Sequence, residues 1–393
     1  MRPLSAITGW AWRTPLGDGV DAVVGRMLAG ERAAQPNPVF DAGSYPCRLA
    51  AAIPGAPRPS KHRKFVKRMG LWGMEVAGEA LAQSGARGAG ERLGLFCGYG
   101  GLRAHWDDLM PVLAGQEGDG SAIDAWDRGF KLLHPFWMLF HLSNNAHALL
   151  SIDIGARGDG ITTGGANAGA QALEAAIAAL AAGSIDTALV FAYDSLVEPE
   201  TVLSLGASGA ATSAALESLT APYDERAGGI VPGEAAAAVV LERAADAGDR
   251  ALALVEARAC ADGEGGWPNP STLAGAIADM AEGVDVIDGA AIALPDRDAA
   301  ERAALSEVLG ARAILLATSA STGALGGAGA VVQAIALASF LRRGLLPPIA
   351  GLSRPSPGPL SPLARAESTV ARKALGISAG MPGLAGALRV EIP

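Results

Sequence analysis

Tyr223 to Glu242 reads YDERAGGIVPGEAAAAVVLE, and its second half decides the architecture. From Ala235 to Leu241 the chain is apolar on every residue, bounded by Glu234 and Glu242. A run this short with no polar alternation predicts a strand covered on both faces, as in the buried parallel strands of an α/β protein. Ala251 to Ala259 (ALALVEARA) has the same character, and the two runs are expected to be neighbouring core strands.

The surrounding sequence repeats this grammar. Leu93 to Cys97 (LGLFC) predicts a buried strand running into the glycine turn Gly98 to Gly101. Ala168 onward (AGAQALEAAIAALAAG) predicts an alanine-rich helix stopping at Gly183, followed by a strand over Thr187 to Tyr193. Later come a strand within Val284 to Leu294, a helix over Asp298 to Leu309 and a strand over Ala313 to Thr318. Strand-helix-strand thus occurs in two passes, which predicts an α/β fold of two similar halves. Gly115 to Arg128 and the proline-rich Arg354 to Pro362 read as surface loops.

Composition narrows the function. The 393 residues are 50% hydrophobic but only 5% aromatic, with 52 glycines, so the chain is rich in small side chains and long enough for one large or two medium domains. Disorder is excluded for most of it. A net charge of −9 leaves one short basic cluster, Lys61 to Arg68 (KHRKFVKR), so nucleic acid is not an expected partner. Cys47, Cys97 and Cys260 are odd in number and far apart, which fits reduced thiols in the cytoplasm. No long apolar run precedes Asp18, so the start does not read as a signal peptide. Ala313 to Leu341 carries no charge over 29 residues, but serines, threonines and glycines interrupt it. It predicts a buried strand, a glycine-rich turn and a buried helix, not a membrane span.

Familiar chemical motifs are missing. There is no GxGxxG, no GK dipeptide, no CxxC and no HExxH, so neither a nucleotide or other cofactor nor a metal is expected. All five histidines (His62, His105, His134, His141 and His147) fall in the first 147 residues.

Ordered landmarks supply what these motifs do not. Ile7-Thr-Gly9 with Thr14-Pro-Leu-Gly17 resembles the opening "vTG…TPLG" of the beta-ketoacyl synthases, and Tyr223 to Glu242 is similar to their "fDxxRdGfvxgEGAgvlvLE". Pro295 to Glu301 (PDRDAAE) resembles "PlnDxxE". Ser321 to Gly329 (STGALGGAG), followed by Leu345-Leu-Pro-Pro348, resembles "GHtlGAAG…ilPP". Ser378 to Gly383 (SAGMPG) resembles "SFGFGG". The resemblance covers nearly the whole chain and implies a thiolase-type fold, two α/β halves in an αβαβα stack, divided here as 1–245 and 246–393.

Active condensing enzymes of this family use a cysteine thiolate on a strand-to-helix turn, which takes an acyl group from a carrier protein, and two histidines. Registering Ile161 to Leu173 (ITTGGANAGAQAL) on "TACASGAQAI" puts Ala166 at the cysteine. Counting back from Pro295 puts Ala290 at the first histidine. Counting from Gly329 puts Gly323 at the second and Thr318 at its companion lysine, and a one-residue gap moves that histidine to Ala324. No shift restores the histidines, because none exists beyond residue 147.

The resemblance therefore implies a chain length factor, a relative without the nucleophile that pairs with an active ketosynthase as a heterodimer and shapes the acyl cavity, served by an acyl carrier protein. Those proteins commonly carry Gln where this chain has Ala166, so a decarboxylase role for that Gln does not transfer. Gly165, Ala166, Phe136, Trp137, Phe140 and Met381 are the expected pocket residues, with Met381 in place of the gating Phe and Pro382 stiffening its loop. Asp224, Arg226 and Glu234 are expected to form a structural ion-pair set. The basic cluster Lys61 to Arg68 either attracts an acidic carrier protein or is a solvated helix face. A repurposed acyltransferase or cyclase using His134, His141 or His147 is the alternative, and a homodimeric scaffold a weaker third.

Overall fold

The run Glu234–Arg243 is a strand, and every residue from Glu234 to Glu242 is buried. The computed structural model describes residues 4–101, 106–113, 127, 129–263, 265–310 and 312–393. The loop expected over Gly115 to Arg128, like His105, lies outside the described residues except for Asp127.

Ten strands form the main sheet: β1 (Ser5–Thr14), β2 (Leu93–Tyr99), β3 (Gly160–Gly164), β4 (Thr187–Ser195), β5 (Glu234–Arg243), β6 (Ala253–Ala261), β7 (Val286–Asp288), β8 (Ile314–Leu316), β9 (Lys373–Gly380) and β10 (Leu384–Glu391). Their order is β8-β7-β9-β10-β6-β1-β5-β4-β2-β3, and a two-residue strand at Gly17–Asp18 pairs with β1 off this path. In the first half β3, β2 and β4 run parallel, then β5 and β1 follow antiparallel. In the second half β8, β7 and β9 run parallel, then β10 and β6 follow antiparallel. The same pairing pattern occurs twice, which is the internal symmetry the two strand-helix-strand passes predict. The halves meet where Ser5, Ala6 and Ile7 pair with Val255, Leu254 and Ala253.

Two expectations are corrected here. β5 and β6 are not parallel strands, since each runs antiparallel to both of its neighbours. β5 and β6 are not neighbours, because β1 pairs with both and separates them.

Six helices matter for the site: α1 (Arg68–Ser84), α2 (Trp137–His141), α3 (Asn145–Ile154), α4 (Ala168–Ala182), α5 (Pro295–Leu309) and α6 (Gly329–Arg343). α4 is built almost wholly of strong helix formers and stops at Gly183 in the left-handed region. α4 and α6 share the largest core cluster with strands of both halves, so they form a central helical layer between two sheet layers. α1 packs on the outer face of the first half, and α5 with the Pro270–Ile277 helix covers the second. This is the thiolase-type αβαβα stack. Ala313 to Leu341 becomes β8, a short helix at Ser319–Thr322, a glycine-rich turn and α6, with Ala330 to Leu341 all buried. Among the described residues no helix is long and apolar enough to cross a membrane.

Candidate functional site

β3 ends at Gly164, and the chain turns through Gly165, Ala166 and Asn167 into α4. Asn167 fixes this turn: its Nδ2 donates to the carbonyls of Cys260 and Ala385, each at 3.0 Å, and its Oδ1 accepts from Gln171 Nε2 at 2.6 Å. Thr163 Oγ1 donates to the Ala168 carbonyl at 2.9 Å from the other side. Ala166 therefore sits at the apex of a rigid strand-to-helix turn before a 15-residue helix, where the helix dipole would favour an anionic side chain. Its methyl group packs against the end of β9, where a Cβ added to Gly380 would lie 2.2 Å from the Ala166 Cβ.

The two residues before Gly380, Ser378 and Ala379, line a cavity of about 60 Å3 together with Ala290, Gly323 and Ala324. The three sequence-predicted positions thus surround one short stretch of β9. At Gly323 the backbone has φ +73°, and a Cβ would lie 2.9 Å from the Val231 carbonyl oxygen, so this position holds no side chain without strain. Ala324 is free of that constraint and is fixed by backbone pairing, its N donating to the Val231 carbonyl at 2.8 Å and its carbonyl accepting from Gly233.

Behind Ala290 lies a buried acid cluster. Glu301 accepts from the Ala290 and Ala291 amides and from Tyr223 OH, and Asp298 accepts from the Tyr223 and Ala293 amides. Burial, reinforced by the Asp298 charge, pushes the Glu301 carboxyl up to about 7, and burial pushes Asp298 up to about 6. Both lie above the ordinary carboxylate range near about 4, so the folded state binds more protons between these limits. Their stabilising contribution is complete below pH about 4 and is lost as pH rises through about 7. A urea midpoint that falls between pH 5 and pH 8, with a shallower fall in Glu301→Gln, is the expected result. Equal slopes in the two proteins would contradict it.

A second cavity, of about 300 Å3, lies at the end of β2, the strand that pairs with β3 before the Ala166 turn. Phe140, Tyr99, Gly100, Tyr193, Lys67 and Arg68 are among its lining residues, and the Gly165 amide donates to the Tyr99 carbonyl at 3.1 Å. Of the aromatic and histidine side chains between His134 and His147, Phe140 and His141 line it, together with Leu142, Asn145 and Ala146. Phe136 is 43% exposed and lies 5.5 Å from the Phe65 ring, while Trp137 is half-buried against His141, and neither lines this cavity. Met381 is half-buried in the hairpin between β9 and β10, directly after Gly380.

No described nucleophile or base compensates at the Ala166 turn. Burial raises the thiols of Cys97 and Cys260, although the Cys260 carbonyl is held by Asn167 beside that turn. The histidines are engaged locally: the Phe136 amide donates to His134 Nδ1, His141 Nδ1 is 2.7 Å from the Trp137 carbonyl, and His147 Nδ1 is 2.8 Å from Thr162 Oγ1. Burial lowers the His147 pKa, which keeps that ring neutral. None of the three lines the 60 Å3 cavity. Among the described residues no group of His, Cys, Asp and Glu could hold a metal ion.

The ion-pair set divides in two. Asp224 pairs with Arg226 at 3.0 Å and accepts from Ser353 and the Arg354 amide, whereas Glu234 binds Arg68. Arg68, read in the sequence as part of a basic cluster that either attracts a carrier protein or is a solvated helix face, is thus committed inward. The sequence reading also missed Asn167, Asp288 and Gln333. Asp288 accepts from the Thr318 amide, Thr318 Oγ1 and Gln333 Nε2 and is fully buried. A lone polar residue inside an apolar run, as in VIDGA and VVQAI, was the available signal.

Comparison with known proteins agrees with this geometry. The beta-ketoacyl synthase N-terminal domain matches residues 5–247 and the C-terminal domain residues 271–353. The tetracenomycin polyketide synthase ketoacyl synthase beta subunit of Streptomyces glaucescens is 28% identical over 384 residues, covering 90% of this chain and 89% of the relative. The ishigamide ketosynthase/chain length factor superposes with a TM-score of 0.86 at 21% identity, over 100% of both chains. A type II polyketide synthase acyl-carrier protein in complex with its ketosynthase gives 0.81 at 19%, again over 100% of both chains. The doubled sheet, the turn carrying Ala166 and the two domain matches lead to one assignment: this chain belongs to the beta-ketoacyl synthase family.

Proposed function

We propose that this chain is a non-catalytic, chain-length-factor-like subunit. In this reading it pairs with a catalytically complete ketosynthase in a cytoplasmic heterodimer and helps wall the cavity that holds a growing polyketide, fatty-acid-like or polyene chain. The observation that carries it is Ala166, a methyl group at the apex of an intact strand-to-helix turn, on the same stretch of β9 as Ala290 and Ala324. A methyl group forms no thioester, and the surrounding alanines transfer no proton. Gly323 forbids a side chain, so we place the second lost histidine at Ala324. Similarity to a protein named as a ketoacyl synthase beta subunit supports the same reading. We also keep 1–245 and 246–393 as the two halves.

A surface for the partner supports pairing. β3 is the edge of the sheet, and its sequence GITTG has neither the charges nor the proline that protect exposed edges. Ten of the fifteen exposed large apolar side chains among the described residues lie between 106 and 161, which is the segment leading into β3. An acyl carrier protein is the further partner, because the acyl chain must arrive tethered. The reading invokes no cofactor or metal.

Incubating the purified chain with acyl and malonyl thioesters tests this directly. Intact mass is expected to stay unchanged and no condensation product to form, whereas co-expression with a ketosynthase from a neighbouring gene yields a stable one-to-one complex that condenses. A covalent acyl adduct on the chain alone, or unaided condensation, would overturn the proposal.

A further inference from the structure

One carboxylate stands between the two cavities. Asp194, 3% exposed, lies at the end of β4, one strand further from the sheet edge than β2, and with Gly100 it lines the 300 Å3 cavity. Gly326, in the glycine-rich turn before α6, lines the 60 Å3 cavity instead. A Cβ added to Gly100 would lie 1.8 Å from Asp194 Oδ1, and one added to Gly326 would lie 2.1 Å from Oδ2. The carboxylate therefore fills the space between a residue of one cavity and a residue of the other.

Both of its oxygens are fixed. Oδ1 accepts from the Ser195 amide at 2.7 Å and Oδ2 from the Gly327 amide at 2.8 Å. Bonds to an ionised acceptor are the strong ones, and one at each oxygen keeps the group from swinging aside. The backbone is fitted to it. Gly326 has φ +50° and needs glycine in any case, but Gly100 has no such angle, and the three atoms nearest its added Cβ all belong to Asp194.

We propose that Asp194 is the end wall of the acyl cavity, the residue at which the growing chain stops. This rests on the chain-length-factor reading above. Phe140, His141 and Asn145, from the segment leading into the proposed ketosynthase interface, line the 300 Å3 cavity, so a chain arriving from the partner reaches that cavity first. Beyond Asp194 lies the 60 Å3 cavity with Ala290 and Ala324, which the carboxylate closes off. An apolar chain end that pushed the carboxylate away would leave two buried amides without an acceptor, so the wall holds. Removing the carboxylate joins the two spaces and lengthens the room for the chain.

The test measures product length from this chain co-expressed with a ketosynthase from a neighbouring gene. Asp194→Gly is expected to shift the main product to one longer by one or more extender units. Asp194→Ser, which keeps a hydroxyl beside the two amides and so guards against loss of folding, should shift it in the same direction. Asp194→Asn, of nearly equal volume, should keep the parental length even where it lowers the thermal midpoint. Gly100→Ala/Asp194→Gly puts a methyl group where the carboxylate stood and should restore the parental length, a rescue that a purely structural bracket does not predict. Lengthening by Asp194→Asn as large as by Asp194→Gly, or loss of the complex in both the Gly and the Ser variants, would overturn the proposal. Complexes that form and condense with equal product lengths throughout would overturn this inference alone, whereas a parental chain that forms no complex overturns the pairing reading and this inference with it.

Discussion

Replacing Arg68 by Met is expected to lower the unfolding free energy by about 3–5 kcal/mol, the cost of leaving a buried charge without its partner. The Glu234 side chain is 0% exposed. Arg68 reaches it through two bonds, Nη1 to Oε1 at 2.8 Å and Nη2 to Oε2 at 2.6 Å, and Nη2 also donates to Glu198 at 2.9 Å. The Ile53 amide and Ser195 Oγ donate to the same carboxylate at 2.9 and 3.0 Å. Those two neutral donors cannot replace a bidentate guanidinium, so the buried carboxylate is left without its counter-ion at a high cost. Arg68→Met/Glu234→Met removes both charges and is expected to recover most of the loss. Urea denaturation measures both proteins, and a loss below about 1 kcal/mol for the single variant would mean that the pair behaves like a solvent-screened surface bridge.

The inward use of Arg68 also changes which residues of the basic cluster are available to a carrier protein. Lys61 pairs with Asp153 and Lys67 with Asp108, while Arg63 and Lys64 are exposed. On the proposed function, electrostatic attraction of an acidic carrier therefore falls on Arg63 and Lys64. Arg63→Glu/Lys64→Glu should slow carrier association in a salt-dependent way while changing stability by no more than about 0.5 kcal/mol.

The elements that were legible in the sequence are those whose signal is local. The all-apolar run at 235–241, the alanine-rich helix closing on Gly183 and the LGLFC strand each carry their own pattern, and all three form. Adjacency of β5 and β6 was misread because their shared neighbour β1 comes from the chain's start, more than 220 residues from β5, and pairing across such separations leaves no mark on periodicity. At the site, motif register points to Ala166 and Ala290 but leaves Gly323 and Ala324 open, and the proposal of Ala324 rests on a backbone angle that periodicity does not carry. The 134–147 segment shows a further limit. Apolar residues destined for a core and those destined for a partner look identical in sequence, so Phe136 was expected in a pocket, whereas it is exposed.

That segment and β3 carry the other large effect. Ile161, in the middle of β3, is 44% exposed although it belongs to an uncharged edge strand, and Ile152 on α3 is 74% exposed. α3 is tied to β3 through the 2.8 Å contact of His147 with Thr162, so the proposed partner would bear on elements that also frame the Ala166 turn. Ile161→Asp places a charge on the edge proposed to pair with the ketosynthase. Burying it without a counter-ion costs several kcal/mol, and about 2.7 kcal/mol already corresponds to a hundredfold loss of affinity. The variant is expected to weaken the heterodimer at least about a hundredfold in a binding titration, and to move the unfolding midpoint of the isolated chain little, because the side chain already faces solvent. Val370→Asp is the control: Val370 is 99% exposed and lies outside the 106–161 segment, so the complex should form unchanged. Undiminished pairing of Ile161→Asp would take β3 out of the interface, and equal loss in both variants would point to a general effect of added negative charge on a chain already at −9.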